Sequence, residues 1–116
     1  SQALTLFAKR PDPDYRNSIK ESISAVESLV KQLSGKDGDF APALEELSKK
    51  IPLHGAMKEG FKKLYGYTSD EDGIRHAMLE DTNVGFDEAK FMLVACSAFV
   101  NFLLSKAQKA GLLKKG

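Results

Sequence analysis

The most regular apolar pattern in the chain is Ile19, Ile23, Val26, Val30 and Leu33, spaced 4, 3, 4 and 3 residues apart. That spacing lines one face of a helix, while Arg16, Asn17, Lys20, Glu21, Ser24 and Glu27 fall opposite. Asp12 is placed to accept a bond from an orphan amide and Pro13 suits a first helical position, so a helix is expected from Pro13 to about Ser34, closed by Gly35. Ahead of it, Ala3, Leu4, Leu6 and Phe7 are apolar enough to dock, and residues 1–10 are expected to pack as an entry segment.

Lys36-Asp37-Gly38-Asp39 has the composition of a turn, after which Phe40, Leu44 and Leu47 predict a short amphipathic helix to about Lys50, broken by Ile51-Pro52. Met57, Phe61, Leu64 and Tyr65 repeat at helical spacing between Leu53 and Tyr65, with Gly66 as the expected cap and Gly55 and Gly60 weakening the helix internally. Ser69 and Asp72 resemble a capping box and predict a helix from Asp70 to about Leu79. A last helix is expected from about Phe86 to Ala110. Asp87 and Glu88 sit at its positive end, Lys106 and Lys109 at its negative end, and Gly111 closes it.

The last helix is the most apolar part of the chain, because from Phe91 to Leu104 only Ser97 and Asn101 are polar. That stretch is shorter than the roughly 20 residues a membrane span needs, so no membrane partner is expected. Apolar residues fall on nearly every side of it. The expectation is therefore a central, buried helix with Met92, Val94, Ala95, Phe99, Phe102 and Leu103 out of water and Asn101 setting register, one face being available for a dimer. No stretch alternates at period two, so the fold class is all-α, a bundle of four or five helices in a single domain.

Composition narrows the function classes. Seventeen basic and sixteen acidic side chains leave a formal charge of +1, which excludes a domain-wide attraction to phosphate backbones and makes any nucleic-acid binding local. Cys96 is the single cysteine, so no intrachain disulfide forms and a reducing, cytoplasmic setting fits best. Inside its apolar helix that thiol is expected to be buried and inert. The two histidines lack a matching carboxylate spacing, and His54 is expected to start a helix, so no metal and no cofactor are expected. The chain opens on Ser1, as an excised piece would, and is expected to be the C-terminal domain of a longer protein with an upstream domain.

The densest cluster of reactive side chains lies between Tyr67 and Asp81. A guanidinium grips phosphate in two-pronged fashion and an imidazole carries protons near neutral pH, which makes Arg75 and His76 the candidate catalytic pair. The plainer alternative is that the acidic residues cap a helix and Arg75 pairs with Asp72 or Glu71. Neighbours on a helix point about 100° apart, so both residues reach one small ligand only with help from a second subunit or an irregular turn. Asn17, Glu21, Ser24 and Ser28 share one arc of the first long helix, and Asn17, Lys20 and Glu21 are the candidate RNA-binding residues that would assist Arg75.

Three segments carry a resemblance: Tyr15-Arg16-Asn17-Ser18-Ile19-Lys20-Glu21-Ser22-Ile23, the run from Leu64 to Ala77, and Ala89-Lys90-Phe91-Met92-Leu93-Val94-Ala95-Cys96-Ser97-Ala98-Phe99. Together they resemble the C-terminal helical domain of bacterial abortive-infection proteins of the AbiJ kind, which looks like a divergent member of the HEPN superfamily. The resemblance implies a HEPN-like bundle and a homodimer. In active members it implies metal-free RNA cleavage by the ribose 2′-hydroxyl, through an Arg, an adjacent polar residue and a later His. Arg75 and His76 match the first two positions, but Glu80, Asp81 and Thr82 stand where the final His belongs. Two expectations follow: a non-catalytic module that dimerises a phage-defence protein and binds RNA or nucleotide, or a metal-independent ribonuclease domain acting through Arg75 and His76.

Overall fold

The computed structural model describes residues 2–8, 14–68 and 84–113. Five helices order the described residues: α1 (Gln2–Ala8), α2 (Tyr15–Ser34), α3 (Phe40–Leu47), α4 (Gly55–Thr68) and α5 (Phe86–Lys109), with no strand among them. The all-helical reading of the apolar periodicities therefore holds. The helix expected at 70–79, with its Ser69 and Asp72 box, lies outside the described residues, as do Asp12 and Pro13.

The 4-3-4-3 row on α2 forms the centre of the core, with Ile19, Val26 and Val30 fully buried and Ile23 and Leu33 nearly so. The cap is Asp14, whose carboxylate accepts the Asn17 backbone amide at 3.1 Å. At the other end Gly35 takes a left-handed conformation, φ 72°, and donates to the Lys31 carbonyl, as a glycine just past a helix end does at no steric cost. Lys50 Nζ donates to the Ser34 carbonyl at 2.7 Å, so the turn after α3 satisfies the end of α2.

Two departures concern how helices are shared out. The entry segment is a helix, α1, although its seven residues are too few to be stable alone. It is held by packing: Ala3 is buried, and the buried Ser18 hydroxyl donates to the Ala3 carbonyl at 2.9 Å. Ser22 in turn donates to the Ser18 carbonyl at 3.0 Å. Small hydroxyl side chains on this flank let α1 lie close without stranding a polar group. The second departure is that α2, not the last helix, is central, since α1, α3, α4 and α5 all pack on it.

α3 inserts Phe40, Ala43, Leu44 and Leu47, none with measurable exposure. Pro42 falls in its first turn, where a missing amide hydrogen leaves no helical bond unmade. α4 runs through Gly66 to Thr68 rather than stopping at that glycine. It is anchored by rings: Tyr65 stacks on Phe40 with centroids 4.3 Å apart and donates its hydroxyl to Glu27 at 2.6 Å, while Phe61 stacks face to face on Phe99 of α5. His54 starts α4 as expected, its Nδ1 accepting the Ala56 amide at 3.0 Å.

On the outer side of α3 and α4, Glu45 accepts from Lys58 at 2.9 Å and from Lys62, and Lys62 also reaches Glu59 at 3.1 Å. Hydrogen bonds from Lys62 and then Lys58 hold the Glu45 carboxyl down to about 2, from an ordinary 4.5. The pairs are partly solvated, so their contribution is modest.

Two outcomes test these contacts. Ser18→Ala should lower unfolding free energy by about 1 kcal/mol in urea titrations, since it leaves the Ala3 carbonyl without its donor; an unchanged midpoint would show that the tie between α1 and α2 carries nothing. The depressed Glu45 carboxyl stabilises the fold fully above pH 4.5 and loses that contribution as pH falls toward 2. Glu45→Gln should accordingly be less stable than wild type at pH 6 and converge on it near pH 2, and a gap that stays constant across that window would rule the linkage out.

Candidate functional site

α5 begins with Glu88 accepting the Gly85 amide at 3.0 Å, carries Asp87 and Glu88 in its first turn and ends with Lys106 and Lys109 in its last. Its inner side, Ala89, Met92, Cys96, Phe99, Leu103 and Ala107, is buried against α2 and its neighbours. The outer side is not. Val94, expected in the core, is 59% exposed, Phe91 is 56% exposed, and Ala95 and Phe102 are only partly covered. Asn101, expected to set register in an apolar surrounding, is also exposed. The reason is geometric: α2 covers one side of α5, and a second side stays bare because no other described helix packs there. By length and composition alone α5 is long and apolar enough to cross a membrane, as the buried core helix of a globular chain also can be.

Between α2 and α5 lies an open groove of about 560 Å³. Glu21, Ser22, Ser24, Ala25 and Ser28 form one wall, and Leu93, Cys96, Ser97, Val100 and Asn101 the other, with Gln2 and Ala3 of α1 at one end. Side chains this small leave a trough where larger ones would interlock. It offers hydroxyls, one carboxylate and a carboxamide, and its lining includes no cationic side chain. Burial pushes the Cys96 thiol up to about 11, so it is not a nucleophile at neutral pH.

Of the candidate RNA-binding residues, Glu21 lines this groove, Lys20 is exposed on α2, and Asn17 turns its carboxamide back to Asp14 at 2.6 Å. Arg75 and His76 lie outside the described residues. Among the described residues no group of three or more His, Cys, Asp or Glu is placed to hold a metal ion.

The sequence reading missed the outer stripe of α5, Phe91, Val94, Ala98, Asn101 and Ser105, all exposed. Its signal was present, because these residues are spaced 3, 4, 3 and 4 apart, beside a second row at similar spacing that fills the core. They fall within about 80° of arc, roughly opposite the buried row. No family model, no curated protein and no solved structure matches the chain.

Alkylation of Cys96 by iodoacetamide at pH 8 should be at least ~100-fold slower in the folded protein than in 8 M urea, because a thiol at about 11 is almost wholly protonated there. Equal rates in the two conditions would show the thiol to be open and ordinary.

Proposed function

We propose that this chain is a HEPN-like helical module of a bacterial phage-defence protein of the abortive-infection kind, and that it acts by bringing two copies of that protein together. The assignment to defence rests on the resemblance of the three segments at 15–23, 64–77 and 89–99. The association role rests on one observation: the fifteen residues from Phe91 to Ser105 contain no charged side chain, yet their outer side is exposed. Monomeric proteins rarely leave so continuous an uncharged, partly apolar strip in water, and such strips mark interaction surfaces. Binding of RNA or nucleotide is the additional role that the resemblance suggests, with Arg75, His76, Asn17, Lys20 and Glu21 as the residues to carry it.

The competing reading is a metal-independent ribonuclease using Arg75 and His76. Its support is the match of both residues to the superfamily motif. Against it stands the replacement of the motif's last His by Glu80, Asp81 and Thr82: a carboxylate seldom serves as acid and base alike near neutral pH.

Sedimentation at about 100 μM should give a dimer, and RNA incubated with the protein in EDTA should remain intact. A monomer would remove the association role. Cleavage that disappears in both Arg75→Ala and His76→Ala, with helicity retained, would replace it with the ribonuclease reading.

A further inference from the structure

The outer stripe of α5 is polarised along its length. Asp87 is exposed at the N-terminal end, with Lys90 at the margin one turn on, and Lys109 at the C-terminal end, and the stripe from Phe91 to Ser105 between them is uncharged. A two-fold interface uses the same patch on both subunits, so the patch must tolerate its own image. Laid parallel, two such helices would set Asp87 against Asp87 and Lys109 against Lys109. Laid antiparallel, each Asp87 meets the other copy's Lys109, and the two helix dipoles oppose each other.

Position 98 lies halfway between 87 and 109, and it holds Ala98, exposed and the smallest side chain of the stripe. A small residue at a crossing point lets two helix backbones approach closely. Phe91 and Val94 on one side of it then cover Ser105 and the half-exposed Phe102 of the other copy. From this charge complementarity we infer that a second copy of the chain docks its α5 antiparallel on this stripe, crossing at Ala98. The inference rests on the association role above and specifies its surface and direction. A lipid surface is the other taker of an uncharged helix face. It fits less well, because Ser97, Asn101 and Ser105 and the serine-lined groove beside them would lose water without gaining partners.

The test combines sedimentation with disulfide trapping. Ala98→Glu should keep its helicity, since the position is exposed, and should raise the dimer dissociation constant about 100-fold by placing two like charges at the crossing. In a Cys96→Ser background, Phe91→Cys mixed with Ser105→Cys should yield the mixed disulfide, while Phe91→Cys alone should stay reduced. A wild-type chain that is monomeric overturns the association role and this inference together. A dimer indifferent to Ala98→Glu leaves the role standing and overturns the surface. Disulfides between two copies of Phe91→Cys overturn the antiparallel direction. A monomer in solution that floats with phosphatidylcholine vesicles, and ceases to do so as Ala98→Glu, assigns the stripe to membrane and overturns the second copy as its occupant.

Discussion

The row Ile19, Ile23, Val26, Val30 and Leu33 is the constraint on which the fold depends, because it centres the core on α2 and α1, α3, α4 and α5 all pack on that helix. Its apolar row receives the inward residues of α3 and α5, and its serine flank receives α1. The two flanks work by different physics. Aliphatic burial is non-directional and contributes in proportion to area removed from water; the Ser18 bond to the Ala3 carbonyl is directional and fixes where a short helix sits. Without the first there is no core, and without the second α1 loses the side-chain bond that ties it to α2.

Charge is kept at the periphery of this arrangement. The ion pairs of Glu45 with Lys58 and Lys62 join α3 to α4 on the outside, over a contact whose interior is the stacking of Phe40 on Tyr65, while Phe61 stacks on Phe99 of α5. Among the described residues no buried side-chain nitrogen or oxygen lacks a hydrogen-bond partner. The buried polar groups are serines and a threonine bonded to backbone carbonyls, which costs less than bringing a charge inside.

Helical periodicity made α2, α3 and the extent of α5 legible, because each buries one regular stripe. α1 was not legible as a helix: seven residues give no periodic signal, and its stability comes from Ala3, Phe7 and Ser18 acting across the fold. The pair Ser18-Ile19 followed by Ser22-Ile23 was the available clue, since serines one step beside a buried aliphatic row lie at its margin. Gly66 misled for the opposite reason. A helix continues through glycine when the flanking rings of Tyr65 and Tyr67 are held by packing, and the cost of about 1 kcal/mol is absorbed there. Of the candidate site, the small-residue arc of Glu21, Ser24 and Ser28 was visible in advance and does line a groove. That its opposite wall is α5 was not, because the pairing of faces between helices is a property of the fold.

Val94 shows where counting apolar residues fails. A helix apolar on many sides is compatible with burial on all of them, or with burial on one and a partner on another, and composition does not separate the two. The separation comes from the number of neighbours: α2, α1 and the ring of Phe61 lie against the inner side of α5, and Phe91, Val94 and Ala98 on the other side stay exposed, with no other described helix packed on them. A surface that only needed to be soluble would carry lysines or glutamates at such positions at almost no energetic cost, as α2 does with Lys20 and Glu21. On α5 the charges instead stop at Lys90 and resume at Lys106. An uncharged gap of this length on an exposed helix is the observation on which the proposed association rests.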